Sequence, residues 1–237
     1  MTRIHVVDRA AFFGGGWPQG FVPMAGAAAS QWLAAAYAHG RFEDRPTAEA
    51  NPAWKQWIPY CVLCCGQPGP SGTVREPGVL TVRRTRGQSE ARLHGAWSIG
   101  LGGHIEPDDD GDAQAGAESF FAQALARELH EELDLRQFDL PRPRFLGLLN
   151  DDSTEVGRVH AGLVYRVDLP LRCTEANERV RIGEISKMHG GFTHLVEFAD
   201  LWQNPTQFET WSQILVRAGV VGATDGCSSS AARAQNG

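Results

Sequence analysis

Short apolar runs separated by turn-rich segments occupy much of residues 57–198 and predict a β-sheet. Residues 57–65 (WIPYCVLCC) and 78–85 (GVLTVRRT) predict two strands that form a hairpin across the Gly- and Pro-rich loop between them. Residues 95–100 (GAWSIG) predict a short third strand. Three later segments predict further strands: RFLGLLN, RVHAGLVYRVDL and THLVEF.

Helical periodicity is strongest in residues 117–133, where Leu125, Leu129 and Leu133 recur on one face. Two other segments predict helices, AAASQWLAAAYAHG near the N-terminus and FETWSQILVRAG near the C-terminus. The order of elements is therefore strands, a loop, one major helix, more strands and a final helix. This order predicts an α+β domain, with a mixed β-sheet layered against helices, rather than a regular series of βαβ units.

The composition predicts three parts in the chain. Residues 1–45 are rich in Ala and Gly and predict an N-terminal extension, partly helical, in which Trp32 and Leu33 dock on the main body. Residues 46–220 carry the alternating elements and predict the main folded domain. Residues 221–237 contain too few large apolar groups to offset the entropy of ordering, so we expect a disordered tail.

The overall composition is that of an ordinary soluble protein. Of 237 residues, 42% are hydrophobic and 21% are charged. The net charge of −6 argues against broad binding of long nucleic acids or of anionic membranes. We find no signal peptide and no apolar run near the roughly 20 residues that span a bilayer, so the expected location is cytoplasmic.

The cysteines give no sign of a disulfide framework. Their odd number, in a chain without secretory features, argues against one. The CVLCC run lies in an apolar segment, and no second CxxC pair follows it to complete a metal site. The sequence predicts buried thiols that pack as small apolar groups. The five residues are Cys61, Cys64, Cys65, Cys173 and Cys227.

Three glutamates form an acidic edge beside the apolar stripe of residues 117–133. On a helix, Glu128, Glu131 and Glu132 fall within an arc of about 100°. One interpretation is a solvated acidic face. The other is a metal site, because close carboxylates with only Arg127 in front of them repel one another, and a hard cation such as Mg²⁺ would remove that cost. The helix alone leaves both interpretations open.

The loop before this helix adds a second motif. The segment GGHIEPDDDGDAQAGAESFFAQALARELHEELDL resembles the Nudix box, which is Gly, five residues, Glu, seven residues and then REUxEExGU, where U is a bulky aliphatic residue. The surroundings of the box also resemble a little-described Nudix branch with an extended box loop, over roughly residues 45 to 217. The matching positions are Gly103, Arg127, Glu128, Leu129, Glu131, Glu132 and Leu135.

The sequence departs from the box in its loop. Arg127 follows Gly103 by twenty-four positions, where the pattern has fourteen, so ten extra residues lie between them. The first box glutamate is therefore ambiguous: Asp109 lies at the right distance from Gly103, and Glu118 lies one residue out of step with Arg127. Asp134 replaces the late glycine. The three metal-binding glutamates are complete.

The resemblance implies a Nudix-type mixed β-sheet sandwiched between helices, and a divalent-metal-dependent hydrolase. Nudix hydrolases cleave a pyrophosphate bond in a nucleoside diphosphate linked to another group, using Mg²⁺ or Mn²⁺. The implied metal ligands are Glu128, Glu131, Glu132 and the backbone of Gly103. Glu131, Glu132 and Arg127 are the implied catalytic residues, with Arg127 pairing to a box glutamate and fixing its rotamer.

Other candidates rest on weaker signals. Glu155 and Glu184 lie in later loops and are candidates for the general base, against the alternative of ordinary surface carboxylates. Arg83 and Arg92 are candidates for binding substrate phosphate, against the alternative of an exposed basic hairpin. His160 alternates with apolar neighbours in a predicted strand, so it either points into the cleft or is a satisfied, half-buried histidine.

Two other functions share the fold. One is a non-hydrolytic module that binds or senses a nucleotide or nucleotide sugar, although a pure binder has no need for three mutually repelling carboxylates. The other is an isoprenoid diphosphate isomerase, which requires a reactive cysteine. We expect a small-molecule partner, a nucleoside diphosphate derivative, and no membrane partner. The resemblance leaves the identity of the substrate and homodimer formation open.

Overall fold

One large mixed β-sheet organises the described part of the chain. The structure is a computed structural model, and it describes residues 2–14, 16–66, 76–85, 95–109, 116–183, 185–186 and 188–221. The strands are β1 (Arg3–Asp8), β2 (Gly20–Pro23), β3 (Gly40–Asp44), β4 (Trp54–Cys65), β5 (Gly78–Arg84), β6 (Trp97–Ser98), β7 (Gly100–Gly102), β8 (Leu133–Asp134), β9 (Arg144–Asn150), β10 (His160–Leu169), β11 (Arg181–Ile182) and β12 (Met188–His194).

Helices cover both faces of this sheet. They are α1 (Arg9–Phe13), α2 (Gly26–Ala38), α3 (Arg45–Glu49), α4 (Gly116–Glu132), α5 (Glu155–Val159), α6 (Cys173–Arg179), α7 (Leu195–Trp202) and α8 (Thr210–Arg217). Two short 3₁₀ turns lie at Pro107–Asp109 and Pro205–Gln207. None of the helices in these ranges is long and apolar enough to span a membrane.

The main path of the sheet runs β12-β5-β4-β10-β9-β2. β4 and β10 lie side by side in parallel, and the other neighbouring pairs on this path are antiparallel. β1 and β7 also pair with β4, and β6 pairs with β5. β8 and β11 form a separate two-stranded sheet. The predicted hairpin of residues 57–65 and 78–85 is confirmed by the antiparallel pairing of β4 with β5.

β4 is buried on both faces, which explains its nearly continuous apolar run. Cys61 and Leu63 pack in one apolar cluster with residues of α2 and α4. Val62 and Cys64 point to the other face, where they pack in a second cluster with residues of α7 and α8. The sheet is therefore sandwiched between two layers of helices, and the predicted α+β class is confirmed.

The N-terminal segment is partly helical, and it also supplies three strands that the sequence analysis did not predict. β1 pairs with both β3 and β4, and β2 pairs with β9 at the far edge of the sheet. Leu33 of α2 is buried, and the rings of Trp32 and Trp57 lie 5.3 Å apart. This segment therefore shares a core with the rest of the chain. The domain boundary at residue 45 stays a prediction, and residues 222–237 of the expected tail lie outside the described residues.

The predicted strand at THLVEF is wrong for most of its length. β12 ends at His194, and α7 begins at Leu195. Phe198 is buried, and Leu195 and Trp202 pack against the same cluster, so the apolar residues recur at helical spacing. A window of six residues is too short to separate this spacing from a buried strand. The helix becomes evident only when the residues up to Trp202 are included.

His5 is a buried ionisable group in the N-terminal part of the core. Its ring lies 5.1 Å from those of Phe42 and Phe120 and 6.2 Å from that of Phe121, measured between centroids. Nδ1 is buried and has no hydrogen-bond partner among the described residues. Burial lowers the pKa of His5 to about 4, so the ring is neutral at physiological pH.

We expect acid to destabilise the fold through His5. The folded pKa of about 4 lies below the ordinary 6.5, so the unfolded chain binds more protons between these values. The stability present above pH 6.5 is therefore lost as the pH falls toward 4, by up to about 3 kcal/mol. His5→Leu should reduce this loss in urea unfolding measured at several pH values. His39→Gln, which removes an exposed histidine, should not. An unchanged acid loss in His5→Leu would contradict the assignment.

Candidate functional site

α4 buries its apolar face and directs its acidic edge toward the turn after β7. Leu125 and Leu129 are fully buried, which fixes the rotation of the helix about its axis. The three glutamates consequently differ in exposure. The side chain of Glu131 is 56% exposed and that of Glu128 is 14% exposed, while Glu132 is 8% exposed at the end of the helix. This edge is therefore not a uniformly solvated face.

The guanidinium of Arg127 organises this edge. Nε and Nη2 donate to the two carboxylate oxygens of Asp109, at 2.8 and 2.9 Å. Nη1 donates to Glu128 at 2.9 Å and to Glu131 at 3.2 Å, and Nη2 also donates to the backbone oxygen of His104 at 2.8 Å. The hydrogen bond to Asp109 is the main reason that the pKa of Arg127 is raised. All five N–H donors of the guanidinium therefore have an acceptor.

Asp109, and not Glu118, is the acid that pairs with Arg127. Asp109 is buried in the 3₁₀ turn, where its carboxylate also accepts the N–H of Glu106 at 2.8 Å. Glu118 instead accepts a hydrogen bond from the hydroxyl of Ser30, at 2.5 Å. Of the two residues that the spacing left open, Asp109 thus has the contacts expected of the first acidic position.

The turn after β7 brings the backbone close to the acidic edge. A Cβ atom at Gly103 would overlap the carboxylate of Glu128. A Cβ atom at Gly102 would overlap the carbonyl of Pro59 in the neighbouring strand. Burial raises the pKa of Glu128, and the adjacent guanidinium of Arg127 opposes that change. The glycines therefore allow a half-buried carboxylate to lie directly against the main chain.

A second cluster of ionisable groups lies beside this turn. Nε2 of His104 is 3.3 Å from Nε2 of His160, and these two atoms are 3.7 and 3.9 Å from Oε1 of Glu49. In the described part of the chain, these three residues form the one group whose ligand atoms converge closely enough to hold a metal ion, and the glutamates of α4 are not part of it. Oε1 of Gln56 lies 2.8 Å from Nε2 of His104.

The sheet register explains why this second cluster forms. His160 and Gln56 are directly paired at the start of the parallel β10–β4 ladder. His104 follows the turn after β7, which pairs with β4, and Glu49 ends α3, which precedes β4. Burial and the neighbouring His160 lower the pKa of His104 well below its ordinary value, so its ring is neutral.

Comparison with known proteins gives the family. No family model matches the chain. YmaB of Bacillus subtilis is 34% identical over 190 residues, which is 78% of this chain and 79% of YmaB. The crystal structure of Tm1382, assigned provisionally to the Nudix hydrolases, superposes with a TM-score of 0.66 and 27% identity over 92% of this chain and 98% of Tm1382. The chain belongs to the Nudix superfamily. It is therefore a member of a pyrophosphohydrolase family.

The structure brings some of the Nudix site residues together and leaves others apart. Arg127, Glu128 and Glu131 are in direct contact, with Gly103 against Glu128. Glu132 shares the helix, but it is not one of the five acceptors of Arg127. The Nudix box therefore has a fixed inner part around Arg127 and a glutamate at its end that has other surroundings.

The structure describes the surroundings of three of the weaker candidates, and two others lie outside the described residues. Arg83 is exposed on β5, donates to the backbone oxygen of Gly95 at 2.9 Å and lies over the ring of Trp97. Glu155 is exposed in the first turn of α5. Arg92 and Glu184 lie outside the described residues. Their proposed roles stay predictions. His160 is buried and faces the second cluster.

Sequence reasoning missed Glu49 and His104 as functional candidates. Glu49 lies close to the predicted end of the N-terminal extension, and His104 lies inside the segment that resembles the Nudix box. They lie fifty-five residues apart, with no spacing that marks a shared site. The signals available in the sequence were His104, directly after the box glycine Gly103, and His160, near the start of a predicted strand.

The cysteines do not support the isomerase alternative. The four described cysteines are buried and free: Cys61, Cys64, Cys65 and Cys173. Burial raises the pKa of Cys64 to about 11, and that of Cys61 is raised above this value by the same cause. A reactive thiol requires a lowered pKa and access to the substrate. Cys227 lies outside the described residues.

We expect Asp109 to contribute to stability where Glu118 does not. Asp109→Asn removes the charge that receives two of the Arg127 hydrogen bonds, while Arg127 keeps its other acceptors. The expected loss is about 2 kcal/mol of unfolding free energy, because a largely buried ion pair is broken. Glu118→Gln should change the unfolding free energy by less than about 0.5 kcal/mol. Urea unfolding measures both. An equal effect of the two changes would contradict the assignment of Asp109 to the first acidic position.

Proposed function

We propose that the protein is a divalent-metal-dependent hydrolase that cleaves a pyrophosphate bond in a nucleoside diphosphate linked to another group. The observation that carries this proposal is the arrangement of α4, in which Arg127 ties two glutamates to Asp109 and Gly103 admits a carboxylate against the main chain. Arg127 supplies one positive charge to the three carboxylates that it contacts, so holding them together still costs electrostatic energy that a divalent cation would remove. A pure packing role for the helix does not explain that cost.

The proposed donor atoms are of the kind that bind Mg²⁺ or Mn²⁺. The donors are carboxylate oxygens of Glu128, Glu131 and Glu132 with the backbone carbonyl of Gly103, and hard divalent cations prefer such a set. Burial raises the pKa of Glu128, so a cation beside it relieves the cost of its charge. When bound, the metal would neutralise the phosphates and lower the pKa of a bound water.

The protein groups have separate tasks in this proposal. Arg127 fixes the rotamer of Glu128, since its guanidinium is itself held in both directions by Asp109 and by the backbone of His104. Asp109 is engaged with Arg127 and acts by positioning it. Glu131 is more exposed than Glu128 and Glu132, so it is the most accessible of the three to substrate and water.

The general base is proposed from the carboxylates. Glu131 or Glu132 can take the proton of the attacking water from within the box. Glu155 or Glu184 can take it from a later loop. A base must lie within hydrogen-bond reach of that water in the substrate complex. Arg83, Arg92 and His160 stay candidates for contacts with the substrate.

We expect Glu132→Gln to reduce Mg²⁺-dependent turnover by at least about 100-fold while the protein remains folded. Phosphate-coupled turnover would be measured on a panel of nucleotide sugars, dinucleoside polyphosphates, oxidised nucleotides, coenzyme A and capped RNA. Glu118→Gln is the matched control and should keep full activity, because it also removes a charge from α4. Equal activity of Glu132→Gln and wild type would remove this residue from the mechanism. Ligand binding without turnover of any compound would favour the nucleotide-binding module.

We expect Gly103→Ala to separate activity from stability. The new Cβ overlaps the flexible end of Glu128, so the carboxylate can move with little cost to the fold. A displaced carboxylate should lower kcat by about 100-fold. The unfolding free energy should change by less than about 1 kcal/mol. Gly16→Ala is the control, because nothing lies within 4 Å of a Cβ atom there. Full activity in Gly103→Ala would argue against a functional contact between the turn and Glu128.

A further inference from the structure

We propose that Glu49, His104 and His160 form a binding site for a divalent transition-metal ion, with Zn²⁺ as the preferred ion. The site uses none of the box glutamates and does not depend on the proposed hydrolase activity. Two imidazoles and one carboxylate are a known ligand set for Zn²⁺. Nitrogen donors favour Zn²⁺ and similar ions over Mg²⁺, which prefers oxygen. The second cluster and the Nudix box therefore differ in the metal that their donors select.

The distances fit one ion bound to all three residues. The three ligand atoms form a triangle with sides of 3.3, 3.7 and 3.9 Å. The point equidistant from its corners lies about 2.1 Å from each atom, which matches Zn–N bonds of about 2.0–2.1 Å and Zn–O bonds of about 2.0–2.2 Å. If the ion lies above the plane of the three ligand atoms, these atoms must approach one another by only a few tenths of an ångström. The ligand atoms are thus close to binding distance, and Nε2 of His104 must lose the proton that it donates to Oε1 of Gln56 in the metal-free protein.

The orientation of His160 suits a ligand. Its Nδ1 lies 2.8 Å from the backbone oxygen of Val156, which can only accept a hydrogen bond. Nδ1 therefore carries the proton and donates, and Nε2 presents its lone pair toward His104 and Glu49. A backbone carbonyl that fixes the tautomer in this way is the usual partner of a metal-binding histidine.

Gln56 provides an independent sign that the cluster receives a ligand. It is fully buried, its Oε1 lies 2.8 Å from Nε2 of His104, and its Nε2 amide is buried with no hydrogen-bond partner among the described residues. A buried donor without an acceptor costs about 1–3 kcal/mol. A water or other oxygen ligand that completes the coordination of the ion would supply that acceptor.

The competing explanation is a set of hydrogen bonds without an ion. Nε2 of His104 donates to Oε1 of Gln56, because an amide oxygen only accepts, and Glu49 also has Arg45 as a neighbour, with Nε 3.6 Å from Oε1. This ion pair is half-exposed and long, so its loss costs little. The hydrogen-bonding explanation accounts for one contact of His104. It does not explain why Nε2 of His160 and Oε1 of Glu49 converge on the same point.

An ion here would connect distant parts of the chain. Glu49 belongs to α3, His104 to the segment that follows the Gly103 turn, and His160 to the first position of β10. The backbone oxygen of His104 accepts from Arg127, so the site adjoins the Nudix box through one residue. The ion would tie the N-terminal segment to the turn that lies against Glu128. Binding should therefore raise the melting temperature.

The experiment titrates Co²⁺ and Zn²⁺ into the metal-free, full-length protein. We expect one equivalent of Co²⁺ to produce the visible d–d absorption of a low-coordinate site, and Zn²⁺ to displace it. His104→Asn and His160→Asn should each weaken binding at least about 100-fold and abolish the rise in melting temperature with Zn²⁺. Glu49→Gln removes only charge at a half-buried position, so it tests the site even if a histidine variant fails to fold.

Two controls distinguish this site from other metal sites. His189→Asn removes an exposed histidine of β12, outside the cluster, and should bind Co²⁺ as wild type does. Glu132→Gln should keep the Co²⁺ absorption even where it lowers hydrolysis, so the two proposals fail separately. The site is overturned if wild type shows no such absorption. It is also overturned if Glu132→Gln abolishes the absorption, or if His189→Asn weakens binding as much as His160→Asn.

Discussion

The arrangement of the acidic helix depends on one guanidinium group. Arg127 has five N–H donors, and each has an acceptor on the turn, the 3₁₀ segment or the helix itself. Without this cation, Asp109, Glu128 and Glu131 would repel one another. With it, the loop and the helix have one favourable relative position. Asp109 keeps the spacing from Gly103 that the box pattern gives to its first acidic residue, and it contacts Arg127 directly.

The sheet brings the two groups of ionisable residues to the same region. β4 lies at its centre and pairs with β1, β5, β7 and β10. The turn after β7 places Gly103 against α4 on one side, and the following residue, His104, meets the first residue of β10 on the other. A short stretch of main chain thus serves both the carboxylates of the box and the histidine cluster.

Local patterns in the sequence predicted the elements that carry their own periodicity. The long helix α4, the β4–β5 hairpin and the strands β9 and β10 were of this kind. The strands of the N-terminal segment were missed, because β1 is only six residues long and its Ala- and Gly-rich surroundings suggested a loosely attached extension. The error at α7 arose because a short apolar run fits either a strand or a helix.

The candidate site was predictable to the extent that its residues lie close together in sequence. Arg127, Glu128, Glu131 and Glu132 share one helix, and their spacing matches the Nudix pattern. The choice between Asp109 and Glu118 required the fold, since only the three-dimensional structure shows which one reaches Arg127. Glu49, His104 and His160 are brought together by the pairing of strands that are distant in sequence. No periodic pattern in the sequence indicates that these three side chains lie close together.

The placement of β2 affects how the chain can assemble. This strand pairs with β9, about 125 residues later in the chain, whereas β1 pairs with β3 and β4, which follow it much more closely. β2 therefore cannot pair until more than half of the 237 residues have been synthesised. β2 also shields the outer edge of β9, whose unpaired backbone groups would otherwise be available to another chain. A shortened protein that lacks the first 45 residues would therefore expose a sheet edge, and self-association is its expected defect.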